Sequence, residues 1–172
     1  ALMRSMRGME MSDFAATDRL SQVQLDDDDL PAPTPEVEQE RRVALFDLLE
    51  DNVFAPASTD APMGPYHLHL GIRERRLVFD VTTEGGATAG TFMLSLSPFR
   101  QVIKDYFQIC EAYFDAVKRL PAAQIEAIDM GRRGIHNEGS RLLMERVEGK
   151  LRTDNETARR LFTLICVLHF KG

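Results

Sequence analysis

The stretch that decides the fold is YHLHLGIRERRLVFDVTTEGGATAGTFMLSLS, residues 66–97. Tyr66, Leu68, Leu70 and Ile72 alternate with His67, His69, Gly71 and Arg73, a period of two that fits a half-buried strand. Glu74 and Arg75 can turn the chain into a second alternating run through Leu77, Phe79 and Val81. Gly85 and Gly86 loosen a second connection before Phe92, Leu94 and Leu96. Connections this short predict an antiparallel three-strand meander, one face on helices and the other partly wet.

Working outward toward the N-terminus, residues 19–26 repeat the alternation with Val23 and Leu25, which suggests a fourth strand. Asp26 to Asp29 and Pro31, Pro33 and Pro35 then form a stiff solvated connector. The aspartate run lacks the alternating spacing and glycine bend of a calcium loop. Thr34 and Pro35 open a helix, with Glu36 and Glu38 in its first turn and an apolar stripe of Val37, Ala44, Leu45, Leu48 and Leu49. Residues 55–65, rich in proline, read as loop.

Toward the C-terminus everything reads as helical. Ser97-Pro98 starts a helix with the broad apolar face Val102, Ile103, Tyr106, Phe107, Ile109, Cys110, Tyr113, Phe114 and Val117, and Leu120-Pro121 breaks it. A second helix follows the proline, and a third, capped by Asp154 or Asn155, runs from Glu156 to about His169. The fold class is α+β: a small antiparallel sheet of three or four strands against about four helices. Residues 1–18 are expected to be a flexible extension, residues 1–10 an upstream remnant ahead of a natural start at Met11. Residues 19–172 should form a single domain.

Composition bounds the function. The chain has 172 residues, 44% hydrophobic and 28% charged, with net charge −6. Residues 11–36 hold seven acids against the single Arg19, so the acidity lies ahead of and at the start of the first helix, and the remaining body is nearly neutral. This argues against a broad nucleic-acid face without excluding a local anion site. The longest apolar run, Leu161 to Phe170, is about half of what spans a bilayer. With neither export signal nor membrane segment, Cys110 and Cys166 are expected to be reduced, buried thiols in a cytoplasmic protein.

EAIDMGRRGIHNEGSRLLMER, residues 126–146, is where chemistry concentrates. Gly131, Gly134 and Gly139 interrupt it, yet the stripe Ile128, Ile135, Leu142 continues at intervals of seven. Either the glycines let a continuous helix approach its neighbours, or the helix breaks around Gly131–Gly134. The surviving periodicity favours the first. On a continuous helix Arg133, His136, Asn137, Ser140 and Arg141 share a face, with Arg132 at its edge. Paired guanidiniums beside an imidazole and an amide suit a phosphate or carboxylate ligand. The competing reading pairs Asp129 with Arg133 and Glu138 with Arg141 along an exposed helix, and makes His136 a hydrogen-bonded, half-buried residue. His136 as general acid or base, oriented by Glu138, is the catalytic candidate, although residues two apart point about 200° apart on a regular helix. His67 and His69 form a weak metal pair, lacking a third ligand unless His136, Asp80 or Glu138 supplies one. No sequence feature calls for a cofactor.

IEAIDMGRRGIHNEGS (125–140), with RRVALFDLLEDNVFAP (41–56), GPYHLHL (64–70), LSPFRQVIKDYF (96–107) and TARRLFTLICVLH (157–169), resembles the UPF0262 family of uncharacterised alphaproteobacterial proteins. The resemblance covers nearly everything from Arg19 onward. It implies neither an activity nor site residues.

The residues point first to a cytosolic, non-enzymatic binding or regulatory module using Arg132, Arg133, His136, Asn137 and Arg141 toward an anionic ligand or an acidic partner surface. The alternatives are a small enzyme on a phosphorylated or carboxylated metabolite, and a structural homodimer meeting through the sheet face around His67, His69 and Val78.

Overall fold

The structure, a computed structural model, describes residues 14–26 and 30–169. Strands β3 (Tyr66–Arg73), β4 (Arg76–Thr83) and β5 (Thr88–Ser95) form the expected antiparallel meander. The β3–β4 hairpin closes on two residues, Glu74 and Arg75, both with positive φ (52° and 64°), the twist that a two-residue turn between right-twisted strands needs. The core face carries Leu68, Leu70, Leu77, Phe79, Val81 and Leu94, all buried. On the outer face His69 and Met93 are exposed and His67 is half-buried. Val78, expected on the wetter side, is only 1% exposed, so that face is dry at its centre.

The fourth strand exists as β1 (Leu20–Leu25), but it runs parallel to β3, in register from Val23↔Leu68 to Leu25↔Leu70. The sheet, in the order β1-β3-β4-β5, is therefore mixed and not wholly antiparallel. A parallel partner cannot be reached by a tight turn, and helix α1 (Pro35–Glu50) lies in the crossing. Thr34 caps α1 by accepting from the Val37 amide at 3.2 Å. At the far end the Asn52 side chain donates to the Leu48 and Leu20 carbonyls and accepts from the Leu20 amide, tying the helix terminus to β1.

The expected loop after α1 contains β2 (Phe54–Pro56), which pairs antiparallel with β6 (Leu151–Thr153). Within the segment expected to be a flexible extension, residues 14–18 make contacts to the rest of the chain. The Asp18 carbonyl accepts from the Phe54 amide at 2.9 Å, and the Arg152 guanidinium lies 4.6 Å from the Phe14 ring centroid. Residues 1–13 and Asp27–Asp29 lie outside the described residues.

Three further helices complete the fold. A short 3-10 turn at Ser97–Phe99 leads into α2 (Arg100–Arg119), which ends at Leu120-Pro121 as expected. α3 (Ala122–Val147) is unbroken through all three glycines. Gly139 explains one of them: a Cβ there would overlap the ring of Phe162, so the backbone of α3 sits directly on α4 (Asn155–Leu168). α4 buries ten of its fourteen residues, and Asp154 caps it by accepting from the Thr157 amide at 2.8 Å. Its central place follows from being apolar on nearly every side.

Candidate functional site

The side of α3 that meets the protein is polar in its earlier turns and apolar toward its end. Asp129, Arg132, His136, Gly139, Ser140, Leu143 and Val147 recur at intervals of three and four, so they share one helical line. Of these Ser140, Leu143 and Val147 are buried and Asp129, Arg132 and His136 half-buried. Ile128, Ile135 and Leu142 stand about 100° around the helix and are also half-buried. The expected face thus divides. Arg132, His136 and Ser140 turn inward, whereas Arg133, Asn137, Glu138 and Arg141 are exposed.

Each inward group has partners from distant parts of the chain. Arg132 donates to Glu40 Oε1 on α1 at 3.1 Å and to Asp129 Oδ1 at 3.0 and 3.2 Å, and its guanidinium covers the Tyr113 ring at 4.4 Å. Burial opposes its charge, but Glu40 and Asp129 outweigh that cost and raise its pKa. Glu40 Oε1 also accepts from the Cys110 thiol at 3.9 Å. Ser140 Oγ donates to Asn155 Oδ1 at 2.8 Å and joins α3 to the start of α4.

His136 sits edge-on to both Tyr106 (5.2 Å between centroids) and Phe162 (6.4 Å), with Nε2 3.2 Å from Thr163 Oγ1. The Thr163 hydroxyl also lies 3.2 Å from the Arg159 carbonyl, to which it donates. Burial, reinforced by the nearby Arg159 and Arg132 charges, lowers the imidazole pKa to about 4, so the ring is neutral near pH 7. Burial also raises the phenol of Tyr106 far above its ordinary value, with Glu40 and Cys110 adding to the effect. Among the described residues the Tyr106 hydroxyl makes no hydrogen bond of ordinary geometry, and the Cys110 thiol is its polar neighbour. Cys110 is pushed up to about 12, by burial first and then by Glu40, and Cys166 well above its usual range by burial. Both cysteines are free, buried thiols. Neither has the electropositive, accessible surroundings that make a cysteine nucleophilic.

The outward residues of α3 pair along the helix. Arg133 meets Asp129 at 2.9 Å, and Arg141 bridges Glu138 and Glu145 at 2.6 Å each. Glu138 therefore points away from His136, and a His136–Glu138 acid-base couple does not form. Among the described residues no three His, Cys, Asp or Glu side chains are grouped to hold a metal ion, so His67 and His69 find no third ligand there. On the sheet Asp80, opposite His69, is taken by Arg73 at 2.9 Å and Thr91 at 2.9 Å.

A large concavity lies elsewhere, between α1 and α2, with a volume of about 1120 Å³. Val37 from the first turn of α1 and Ile103, Phe107 and Phe114 from α2 supply apolar lining. Arg100, Lys104 and Lys118 line it as cations, and Glu36, Glu111 and Asp115 as anions. Asp115 is already bound by Arg119. Arg100, Lys104 and Lys118 have no ion-pair partner among the described residues. The sequence held a signal for this cleft. The apolar face of α2 is broad, with Tyr106 and Cys110 toward α3 and α4 and the half-buried Phe107 and Phe114 about 100° around.

Among the described residues no helix is long and apolar enough to cross a membrane. No solved structure matches the chain. A UPF0262 protein of Ruegeria sp. (strain TM1040) is 69% identical over 157 residues, covering 90% of this chain and 99% of the relative. A UPF0262 protein of Jannaschia sp. (strain CCS1) is 70% identical over 148 residues, covering 86% and 95%. One from Paracoccus denitrificans is 64% identical over 156 residues, covering 89% and 96%. The model of an uncharacterised protein family, UPF0262, matches residues 17–171, and with relatives this similar along almost their whole length, the chain belongs to the UPF0262 family.

Proposed function

We propose that the protein is a cytoplasmic, non-enzymatic binding module whose ligand occupies the cleft between α1 and α2. The observation that carries this reading is the cleft itself: a concavity of about 1120 Å³ with apolar lining and three cations without carboxylate partners among the described residues. The cations of α3 are poorer candidates, since Arg132, Arg133 and Arg141 each already hold a carboxylate. Buried reduced thiols agree with a cytoplasmic setting. Catalysis is disfavoured because the titratable groups nearest the core are held in unreactive states: a neutral imidazole and thiols of raised pKa.

The test is a small-molecule fragment screen of the full chain by amide NMR. Perturbations gathered at residues 34–37 and 100–118 support the reading. Perturbations gathered on Arg133–Arg141, or none anywhere, refute it. Turnover of any component of a cell metabolite extract that disappears in His136→Gln would overturn the non-enzymatic assignment.

A further inference from the structure

The sheet ends in two outermost strands, β1 and β5, and they are finished differently. At the start of β1 the Asn52 side chain takes both the Leu20 amide and the Leu20 carbonyl. β5 is eight residues long, TAGTFMLS, with no charge and no proline among them. Charges and prolines are what commonly keep an open edge from pairing with another chain. This edge is also separate from the cleft between α1 and α2, to whose lining β5 contributes nothing.

The register shows which backbone groups of β5 stand free. The Leu96 amide donates to the Arg75 carbonyl at 3.3 Å, so that opposed pair is hydrogen-bonded. Alternation along an antiparallel ladder turns Leu94 and Phe92 toward β4 in the same way. It turns the N–H and C=O groups of Ser95, Met93 and Thr91 outward. These three residues are exposed, and their outward backbone groups bond to nothing among the described residues. The bulge at Gly90, whose φ is 149°, lies before them, and Thr91–Ser95 keep unbroken register with β4.

We infer that a second copy of the chain pairs along this edge, β5 antiparallel to β5 about a two-fold axis at Met93, so that the two four-stranded sheets become one. The edge matches itself. With Met93 opposite Met93, Thr91 meets Ser95 of the second copy and Ser95 meets its Thr91, opposed pairs that each exchange two backbone bonds. On the outer face an apolar side chain that is 47% exposed then meets its equal, with small hydroxyl side chains on both sides. On the core side the half-buried Phe92 comes beside Leu94 of the second copy. One strand further in, Asp80 stands beside Thr91 and Arg76 beside Ser95, so each row across the axis carries an anion from one copy and a cation from the other. An extended peptide of another protein would use the same hydrogen bonds but has no need of this symmetry.

The test is sedimentation of the full chain from about 1 μM to about 200 μM, the range in which a small interface dissociates. The wild type should pass from monomer to dimer. Met93→Lys and Met93→Glu each set like charges on the axis and should weaken dimerisation severalfold or more. An equimolar mixture of the two should recover dimer, because only the mixed pair sets Lys against Glu. Hydrogen exchange of the wild type needs no variant to fold. The Thr91, Met93 and Ser95 amides should exchange fast at the lowest concentration and severalfold more slowly at the highest, while the Phe92 and Leu94 amides, bonded to β4, stay slow throughout. A monomer across the whole range, single charges without effect, a mixture that stays monomeric, or edge amides insensitive to concentration overturns the inference. So does association abolished by Phe46→Lys on the exposed face of α1 but not by the Met93 variants, or capture of an extended peptide by a chain that never dimerises.

Discussion

Acidification should weaken this fold in a way that one side chain controls. The His136 imidazole lies among Tyr106, Phe162 and Thr163 with its pKa lowered to about 4, against an ordinary 6.5. Burial is the first cause and the Arg159 and Arg132 guanidiniums the next. A depressed folded-state pKa means that the unfolded chain takes the proton more readily. The contribution of the neutral ring is therefore present above about pH 6.5 and lost as the pH falls toward 4. A displacement of this size is worth at most about 3 kcal/mol, of which about 2 kcal/mol is lost by pH 5. That is a large share of an ordinary domain stability of about 5–15 kcal/mol. The assay is urea unfolding across the interval from about pH 8 to about pH 5, for the wild type and His136→Gln. Glutamine keeps an N–H donor for the Thr163 oxygen, whose own proton goes to the Arg159 carbonyl, but cannot titrate. Carboxylates titrate in both proteins, so the difference between their pH profiles isolates the imidazole. Parallel profiles would refute the reasoning, and a wild type that gains stability on acidification would reverse its sign.

The remaining expectations concern packing and the thiols. Gly139→Ala should destabilise the protein by about 2 kcal/mol or more, because the new methyl meets the buried Phe162 ring, whereas Gly134→Ala faces open space and should gain about 0.5–1 kcal/mol from helix propensity. Thermal denaturation decides it, and equal effects at the two sites would contradict the close approach of α3 to α4. Tyr106→Phe removes a buried hydroxyl that makes no hydrogen bond of ordinary geometry among the described residues, so urea midpoints should show no loss and a gain of up to about 1 kcal/mol; a clear loss would mean that the hydroxyl is satisfied. Cys110 and Cys166 should both resist a thiol reagent near pH 8 in the native protein and react promptly in denaturant. Fast labelling of either native thiol would contradict their burial.

What the sequence made legible follows the range over which its signals act. The β3–β5 meander and the caps at Thr34 and Asp154 are local, and they appear where the residues place them. β1 was readable as a strand but not its direction, since choosing β3 as a parallel neighbour depends on how α1 crosses between them. β2 and β6, three residues each, are too short for any periodicity to emerge. The rotation of α3 eluded hydrophobic patterning for a definite reason. Its inward line carries Arg132 and His136, which are satisfied by Glu40, some 92 residues away, and by Thr163. A pattern rule that sends apolar residues inward therefore rotates the helix by about 100°. The i,i+4 pair Asp129–Arg133 and the i,i+3 pair Glu138–Arg141, by contrast, were written in the spacing. The cleft requires two elements at once, and only the breadth of the α2 apolar face hinted at it.

The placement of α4 bears on how the chain matures during synthesis. The helix that fills the middle of the core is made after almost everything it packs against, and β2 must wait about a hundred residues for its partner β6. Val53 likewise waits for the Thr157 hydroxyl, 104 positions later. While the ribosome is still translating, the meander and α1 have no layer to close on, and Leu48, Phe54 and Phe79 stay open to water. Folding from the N-terminus in stages is therefore poorly supported, and the core closes only once α4 has been made. A stalled or prematurely terminated product of this gene would be a sticky fragment rather than a smaller folded protein, and a natural client for chaperones and proteases.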